Sequence, residues 1–373
     1  MRILHVYKDY YPVLGGIENH VKLLAESQAA AGHDVSVLVT ARGRRTEREE
    51  QTGVNVIKAG RLCEASSTPL SLSMLGQLYR QQPDITHLHF PYPPGEVGQW
   101  PLIARRATVL SYHSDIVRQR LQLRLYRPLM LHILRRVDRI MVSSPNYQES
   151  SEVLRSLRDR CTIIPYGIDQ TRFQSVTPAA VERIVERHGT GPWVLFVGVL
   201  RYYKGLRYLL EAMQSVQARL LIVGEGPEGP ALRQTAEALS LGEKVVFVGA
   251  VADSALPAYY HAASVFCLPA SERSEAFGLV QVEALASGVP IVSTELGTGT
   301  SYVNEHGLSG LVVPARDPSS LAGALEHLIQ DRSLRTRLAA GALERARLFT
   351  ADRMLADIAA VYADVLERRA SRE

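Results

Sequence analysis

The feature of this 373-residue sequence that most constrains its fold is an alternation of short β-branched runs with longer helical patterns. Between the strand-like runs, apolar residues recur at helical spacing, and the first such helix is predicted to begin near Gly16. This alternation is typical of a parallel sheet covered by helices. The strand-like runs of the first series are residues 2–7, 35–40, 85–90, 108–112, 139–143 and 162–164.

The alternation then starts a second time, after a polar segment at residues 170–192 that prolines and glycines interrupt. We interpret that segment as a short helix and a linker, because the chain is longer than one hydrophobic core usually supports. We therefore predict an α/β protein with two Rossmann-like, doubly wound domains and ligands in a shared cleft beyond the strand ends. The runs of the second series are residues 193–197, 220–223, 245–248, 264–268, 289–292 and 311–313.

The predicted domains are residues 1–175 and 190–350, with a C-terminal helix at 351–373 that returns to the first domain. Three widely spaced cysteines favour buried thiols in a reducing cytoplasm over a disulfide or zinc framework. We expect no signal peptide, and no apolar stretch reaches the roughly 18 to 20 residues that a membrane-spanning helix needs. The cysteines are Cys63, Cys161 and Cys267.

Positive charge is concentrated in the first half of the chain. Residues 1–170 hold 22 lysines and arginines against 16 acidic residues, whereas the remainder holds 20 against 22. Part of the excess lies at residues 118–139, where arginines are interleaved with leucines. This pattern fits a helix on anionic lipid headgroups, or equally a core-facing helix with a solvated arginine face. Nucleic acid is disfavoured, because no binding motif or stacking aromatics accompany the charge.

Glycines and histidines follow or lie within strand-like runs of the first half. Gly15 and Gly16 open a helix whose N–H groups can approach an anion, although a tight turn explains the pair as well. The spaced three-glycine fingerprint is missing, which counts against a dehydrogenase. His113 directly follows the fourth run, where the cleft favours a functional role. For His87 and His89 we favour structural packing over a metal pair, because we expect no third ligand nearby.

The strongest signal is a pair of glutamates at the turn from a strand into a helix in the second half. At about 100° per residue, Glu283 falls within the apolar arc of that helix, so its carboxylate needs a hydrogen-bonding partner. One of the two glutamates, Glu275 and Glu283, can hold sugar hydroxyls while the other holds a ribose diol. The N–H groups of Phe277, Gly278 and Leu279 suit a diphosphate. The alternative is two unrelated surface glutamates.

Two cations follow the first strand of the second series. Arg201 and Lys204 can neutralise a leaving diphosphate, and a helix start is otherwise mildly unfavourable for cations. The loop at residues 298–300 fits a phosphate site or a simple turn. No Asp-x-Asp occurs, so no obvious carboxylate pair can hold Mg²⁺ against a diphosphate. We therefore expect neither a metal ion nor another cofactor.

Taken together, these segments resemble the retaining GT-B glycosyltransferases of glycosyltransferase family 4 over essentially the full chain. The two-glutamate segment is the most specific of them. Val199 departs from the family, which usually has arginine there, and Arg201 is the candidate to replace it. The matching motifs are GGIENH at 15–20, SYHSDI at 111–116, PYGID at 165–169, GVLRYYKG at 198–205, GEGP at 224–227, EAFGLVQVE at 275–283 and HGLSGLVVP at 306–314.

The resemblance implies a role for each of the candidate residues. Glu275 would contact the donor sugar, Glu283 its ribose and Lys204 its diphosphate. His113 would act at the reacting centre, and Gly16 would lie at the donor phosphate or a nearby acceptor site.

The resemblance also implies a reaction. HSDI at 113–116 and TGTSYVN at 298–304 are most similar to mannosyl- and rhamnosyltransferases of bacterial surface-polysaccharide synthesis, such as that of lipopolysaccharide. The donor would then be a GDP-sugar and the acceptor a saccharide or lipid-linked glycan, joined with retention of configuration and without metal. The alternatives are a UDP-sugar donor, a noncatalytic nucleotide-sugar-binding subunit, a nucleotide-sugar epimerase and a polysaccharide phosphorylase.

Overall fold

The computed structural model describes residues 1–13, 15–65, 68–116 and 120–371. The chain divides into two compact units. The first consists of Met1–Pro165 together with Met354–Glu373, and the second of Tyr166–Arg353. Both units are α/β, as the alternation predicts.

The first unit contains an eight-stranded sheet in which every neighbouring pair is parallel except one. The strand order is β10-β9-β8-β7-β1-β2-β4-β3, and β5 pairs with β6 in a separate hairpin. The strands are β1 (Arg2–Val6), β2 (Asp34–Thr40), β3 (Glu47–Gln51), β4 (Val54–Ala59), β5 (Cys63–Ala65), β6 (Thr68–Leu70), β7 (Ile85–Phe90), β8 (Ala107–Tyr112), β9 (Arg139–Val142) and β10 (Cys161–Ile163).

Strands β3 and β4 and the small hairpin were not predicted from the sequence. Strand β3 has the sequence EREEQ and is almost wholly exposed, so it offers no apolar run to detect. It pairs antiparallel with β4 at the margin of the sheet, where a charged strand discourages pairing with another chain.

The helices of the first unit connect the strands. Strands β7 and β8 are buried along their whole length, which is why their sequences read as continuous apolar runs. The helices are α1 (Gly16–Ala30), α2 (Leu72–Arg80), α3 (Pro93–Gln99), α4 (Arg120–Leu134), α5 (Pro145–Ser150) and α6 (Glu152–Arg155), with 3₁₀ turns at Trp100–Leu102 and Arg158–Arg160.

The second unit contains a six-stranded parallel sheet in the order β13-β12-β11-β14-β15-β16. Its first strand is central and later strands add on both sides, which is the doubly wound arrangement with a topological switch point between β11 and β14. The strands are β11 (Trp193–Val197), β12 (Arg219–Val223), β13 (Val245–Gly249), β14 (Val265–Leu268), β15 (Ile291–Glu295) and β16 (Gly310–Pro314).

Helices of the second unit follow each strand and also fill the segment that we interpreted as a linker. Residues 170–192 contain two helices rather than one, and both belong to this unit. The prediction of a single helix was therefore incomplete. The helices are α7 (Thr171–Gln174), α8 (Pro178–His188), α9 (Leu206–Met213), α10 (Gly229–Ala238), α11 (Leu256–Ala262), α12 (Leu279–Ala286), α13 (Thr300–Val303), α14 (Pro318–Gln330) and α15 (Arg332–Ala346), with a 3₁₀ turn at Tyr202–Lys204.

The last helix, α16 (Ala351–Ala370), belongs to the first unit from Met354 onward. Its Arg369 lies 2.9 Å from Asp138, and Tyr362 is buried among residues of the first sheet. Residues 166–175, by contrast, lie in the second unit, where the backbone N–H of Ile168 donates to the carbonyl of Phe349.

The three cysteines are all free, but only Cys267 in β14 is buried. Cys63 is exposed, contrary to our expectation, because it lies on the small β5–β6 hairpin rather than in the main sheet. Within the part of the chain that the structure describes, no helix has the length and apolar character to cross a membrane.

Candidate functional site

The switch point of the second sheet brings Lys204 and Glu275 together. Lys204 follows β11 and Glu275 follows β14, and loops that leave two neighbouring parallel strands in opposite directions open a crevice between them. The Lys204 Nζ lies 2.5 Å from Glu275 Oε2, with only about a tenth of each side chain exposed. Gly205 lets the loop after β11 pass close to the loop after β14, since a Cβ on Gly205 would lie 2.0 Å from the carbonyl oxygen of Pro269.

Charge pairing keeps Lys204 protonated despite its burial. Burial is the largest single influence and would lower the pKa of Lys204. The charge and hydrogen bond of Glu275, together with Tyr203 and Glu283, outweigh it and raise the pKa above its usual value. Buried ion pairs are costly to desolvate and contribute little net stability. This pair therefore points to a function that requires both charges in a largely dehydrated place.

The loop at residues 298–300 supports the backbone around Glu275. The Thr298 hydroxyl donates to the Glu275 carbonyl at 2.8 Å, and the Gly299 N–H donates to the Ala276 carbonyl at 2.7 Å. Both threonine side chains in this loop are buried and bonded inward. The loop therefore acts as a turn that supports Glu275, one of the two interpretations left open by the sequence.

Helix α12 begins at Leu279 with the turn that the sequence predicts. Gly278 has φ +80°, and a Cβ there would lie 2.7 Å from the Gln281 side chain, so glycine is required. Among the described residues, no hydrogen bond is formed by the N–H groups of Phe277 and Gly278, and that of Leu279 precedes any intrahelical acceptor. The Phe277 ring itself packs edge-on against Tyr166 in the core.

Glu283 has the hydrogen-bonding partner that its helical position predicts. The Tyr260 hydroxyl donates to Glu283 Oε2 at 2.7 Å, and the Arg172 guanidinium lies 4.0 Å from Oε1. Burial raises the pKa of the Glu283 carboxyl, an effect that the bond from Tyr260 partly offsets. Neither partner was predicted, because both lie on other helices and no local pattern marks them.

Arg201 lies in a different environment from Lys204. It precedes the 3₁₀ turn in extended backbone and is exposed to solvent, as is Val199, whose side chain is 40% exposed. An exposed arginine can still reach a bound anion, but none of the described residues forms an ion pair or side-chain hydrogen bond that would fix the orientation of Arg201.

In the first unit, His113 lies at the end of β8 and is buried among other histidines. Its backbone N–H donates to the Phe90 carbonyl at 3.0 Å, and its Nε2 lies 2.9 Å from Nδ1 of His89. Our statement that His87 and His89 have no third ligand nearby is wrong, because β1 pairs with β7 and places His5 opposite His87. Among the described residues, two trios of ring nitrogens could hold a metal ion, each with its ligand atoms within 4.8 Å of one another. They are His5 with His87 and His89, and His20 with His89 and His113.

Helix α1 begins at Gly16, as predicted, but a carboxylate already lies at its start. A Cβ on Gly15 would lie 2.1 Å from Glu18 Oε2, so the glutamate side chain covers that glycine. Lys8 is 3.9 Å from the same carboxylate. A phosphate at this helix start would meet negative charge, whereas sugar hydroxyls would not be repelled.

Helix α4 covers residues 120–134 of the basic leucine-rich stretch and has a buried and an exposed face. Met130 and Ile133 are buried, whereas Arg124 and Arg127 are exposed and Leu125 is 83% exposed. Arg118 lies outside the described residues, as does the side chain of Arg120. The described part of the helix therefore packs on the unit and also presents arginines around an exposed leucine.

Comparison with known proteins gives two family matches that together span most of the chain. The model for "Glycosyl transferases group 1" matches residues 181–345, and that for "Glycosyltransferase Family 4" matches residues 14–172. The D-rhamnosyltransferase WbpZ of Pseudomonas aeruginosa is 38% identical, over 94% of this chain and 93% of its own. The O-antigen chain mannosyltransferase C of Escherichia coli is 35% identical, over 99% and 100%.

Solved structures with low sequence identity share the fold. A sucrose-phosphate synthase from Thermosynechococcus elongatus superimposes with a TM-score of 0.81 at 22% identity, covering 98% of this chain and 99% of its own. Anabaena HepE, in a complex with UDP-glucose, gives 0.80 at 20% identity over 98% and 100%. WaaG, a glycosyltransferase involved in lipopolysaccharide biosynthesis, gives 0.73 at 19% over 95% and 99%. These likenesses show that the fold is GT-B.

Proposed function

This chain belongs to the family 4 and group 1 glycosyltransferases, and we propose that it transfers mannose or a related hexose from a GDP-sugar to a saccharide or lipid-linked glycan. We place the reaction in the cytoplasmic synthesis of a cell-surface polysaccharide. The choice of sugar rests on the rhamnosyl- and mannosyltransferase names of two relatives that match nearly the whole chain.

The observation that carries the proposal is the buried Lys204–Glu275 pair beside the N–H groups that open α12. An ammonium group has three donors, so Lys204 can hold Glu275 and a diphosphate oxygen at the same time. The Glu275 carboxylate can then accept hydrogen bonds from hydroxyls of the transferred sugar. The N–H groups of Phe277, Gly278 and Leu279 would bind the diphosphate.

Glu283 is proposed to hold the ribose of the donor. The bond from Tyr260 occupies one carboxylate oxygen and fixes the orientation of the group, which leaves acceptor capacity for a vicinal diol. Gly16 is proposed to lie on the acceptor side, since the Glu18 carboxylate near this helix start disfavours a second phosphate.

We propose retention of configuration without a metal ion. The bond between the anomeric carbon and the diphosphate oxygen breaks as the acceptor hydroxyl attacks from the same face, and the departing phosphate takes the proton of that hydroxyl. Lys204, Arg201 and the helix N–H groups would balance the negative charge that a metal balances in other enzymes. His113 is proposed to contact the reacting sugar.

The test is a donor screen followed by turnover. GDP-mannose, GDP-rhamnose, UDP-glucose and UDP-N-acetylglucosamine are compared for thermal stabilisation, since a ligand at 100 times its dissociation constant stabilises by about 2.7 kcal/mol. The best donor is then supplied with lipid-linked and soluble glycan acceptors, and the anomeric configuration of the product is read by NMR. Preferential stabilisation by a UDP-sugar would overturn the GDP assignment.

A second candidate is a noncatalytic nucleotide-sugar-binding subunit. Val199 supports it, because the family usually has arginine there and the nearest substitute, Arg201, is exposed. Saturable donor binding with no transfer to any acceptor and no donor hydrolysis is the result that this candidate predicts.

A further inference from the structure

The short helix α7 directly follows the PYGID motif at residues 165–169, a segment to which the proposed function gives no role. Asp169 Oδ1 accepts a hydrogen bond from the backbone N–H of Thr171 at 3.0 Å. Gln170 is buried, and its amide nitrogen donates to the carbonyl of Ala346 at 2.6 Å. The start of α7 is therefore held against the last residue of α15.

Phe173 fixes α7 against α11. Its ring is buried and packs edge-on against Tyr260, with 5.8 Å between the ring centroids. Its carbonyl oxygen lies 2.6 Å from Nε2 of His261, which therefore donates to it. Because the Tyr260 hydroxyl donates to Glu283 Oε2, the same contact sets the position of α7 relative to that carboxylate.

Arg172 lies beside the other carboxylate oxygen of Glu283. Its guanidinium carbon is 4.6 Å from the centroid of the Phe173 ring, and stacking of this kind on an aromatic face is favourable for arginine. One guanidinium nitrogen is 4.0 Å from Glu283 Oε1. The two oxygens of the carboxylate thus face different partners, Tyr260 on α11 and Arg172 on α7.

The distance between Arg172 and Glu283 is too long for a direct hydrogen bond and suits an intervening hydroxyl group. Direct N–H···O bonds join atoms about 2.7 to 3.2 Å apart. A hydroxyl oxygen about 2.8 Å from each atom fits the 4.0 Å separation, and a hydroxyl can accept one hydrogen bond while it donates another. The two side chains are 41% and 15% exposed, so a ligand can reach the pair.

The charges around Glu283 favour an uncharged group at this position. Burial is the largest influence on the pKa of the Glu283 carboxyl and raises it. The hydrogen bond from Tyr260 and the positive charges of Arg172 and Lys204 oppose burial, whereas the negative charge of Asp253 adds to it. A guanidinium beside a carboxylate offers a donor and an acceptor together. A ribose hydroxyl matches both, whereas the carboxylate would repel a phosphate.

We propose that Arg172 is a donor-binding residue, which donates a hydrogen bond to a ribose hydroxyl of the nucleotide while that hydroxyl donates to Glu283 Oε1. The inference rests on the proposed function in taking Glu283 as the ribose-binding residue. The ribose is then held by two helices, α7 and α12. The PYGID motif has a physical role in this arrangement, because it precedes and anchors the helix that carries Arg172.

The test compares nucleotides that differ only in one ribose hydroxyl. Binding of GDP, 2′-deoxy-GDP and 3′-deoxy-GDP to the full-length protein is measured by isothermal titration calorimetry at pH 8.5. Arg172→Gln should raise the dissociation constant of GDP at least about tenfold, since hydrogen bonds from a charged donor are the stronger kind. For the deoxynucleotide that lacks the bonded hydroxyl, the same substitution should change the constant less than about twofold.

Arg183→Gln is the matched control, because Arg183 is an exposed arginine of the next helix, α8. It should leave all three dissociation constants unchanged. Thermal unfolding without nucleotide checks that both variants remain folded.

A repeat at pH 6 separates direct hydrogen bonding from an effect through the charge of Glu283. If Arg172 only kept Glu283 ionised, Arg172→Gln would weaken GDP binding at pH 6 and not at pH 8.5, where the carboxyl is ionised without help. We expect the weakening at both pH values.

Three results would overturn the inference: GDP binding that Arg172→Gln leaves unchanged, an equal weakening for GDP and both deoxynucleotides, or a weakening confined to pH 6. If UDP binds and GDP does not, the GDP assignment fails, and the same comparison is made with UDP and its deoxy forms. Failure to bind either nucleotide would overturn both the proposed function and this inference. If the expected pattern is found while no sugar is transferred, the proposed catalytic function fails and the ribose contact stands.

Discussion

Lys204 Nζ lies 2.5 Å from Glu275 Oε2, at the point where the second sheet changes winding direction between β11 and β14. The two side chains satisfy each other's charge while remaining mostly buried, so a change to either leaves the other charge without its partner. Such half-removed pairs are strongly destabilising when they are buried. Activity and stability must therefore be measured together for every substitution at this pair.

Glu275→Ala should lower turnover at least about tenfold. A hydrogen bond to a charged group is worth about 1.5 to 3 kcal/mol, and about 1.4 kcal/mol corresponds to a factor of ten in rate. Steady-state kinetics with the best donor provide the measurement. Glu272→Ala is the matched control, since Glu272 is in the same loop but pairs with the exposed Arg316. Equal activity of the two variants, with both folded, would remove Glu275 from the site.

Tyr260→Phe should raise the donor KM several-fold with a smaller effect on kcat. The change removes the hydroxyl that donates to Glu283 at 2.7 Å and leaves a buried carboxylate less well satisfied. Donor titration gives KM, and thermal unfolding gives the change in stability. Tyr259→Phe is a suitable control, because Tyr259 is equally buried and its ring lies beside His188 instead. Similar kinetics in both variants would refute the ribose role of Glu283.

Saturating EDTA should leave activity nearly intact. In our proposal, Lys204, Arg201 and the N–H groups at the start of α12 balance the charge of the leaving diphosphate. Turnover is measured in chelator-treated protein before and after addition of Mg²⁺ or Mn²⁺. If chelation abolishes activity and either ion restores it, a metal ion rather than these protein groups balances the charge of the diphosphate, and the proposal is refuted.

Acidification should destabilise the protein below about pH 6.5. Burial lowers the pKa of His5 to about 4 and that of His20 to about 3. Between pH 6.5 and about 4 the unfolded chain takes up protons that the folded chain excludes. The free energy of unfolding therefore falls with pH, by up to about 1.4 kcal/mol per unit for each histidine.

Among the described residues, two buried carboxyls act in the opposite direction, because burial raises the pKa of both Glu96 and Glu283. Burial raises the pKa of Glu96 to about 7, so between pH 7 and about 4.5 the folded chain binds that proton first and gains stability on acidification. Urea unfolding at pH 7.5, 6.5 and 5.5 gives the net dependence of the free energy of unfolding on pH. We expect this free energy to fall on acidification, because the effect of the histidines exceeds that of the carboxyls. In His5→Asn the slope should be shallower by about one proton. A free energy of unfolding that is constant or rises on acidification would contradict the neutral histidine cluster.

If the acceptor is lipid-linked, α4 should help to bind anionic membranes. Each exposed basic residue near such a surface contributes about 1 kcal/mol, and the attraction decays over about 8 Å at physiological salt. Replacing Arg124, Leu125 and Arg127 together by Gln should weaken binding to anionic vesicles in co-sedimentation and leave donor affinity unchanged. Replacing Leu343 of α15 and Arg347, which follows that helix, by Gln should have no effect. Vesicle binding that does not depend on salt would count against an electrostatic surface.

Local periodicity in the sequence was enough to predict most of the sheet strands and the two-unit α/β architecture. Each strand and helix buries an apolar face, and burial imposes a period of two or 3.6 residues that can be read within a short window. Strand β3 was not predicted, because its side chains are almost wholly exposed and leave no apolar pattern. The same local signals identified the segment with the two glutamates. They also predicted that Glu283 needs a hydrogen-bonding partner.

The order and register of the strands decided which side chains contact one another. Lys204 meets Glu275, Glu283 meets Tyr260, and His5 meets His87 and His89 only because particular strands and helices are neighbours in the folded chain. Nothing in a short sequence window encodes which strand lies beside which, since that choice depends on how whole apolar faces pack together. The sequence by itself therefore determined which segments carry the chemistry, whereas the tertiary structure decided which side chains hold one another in place.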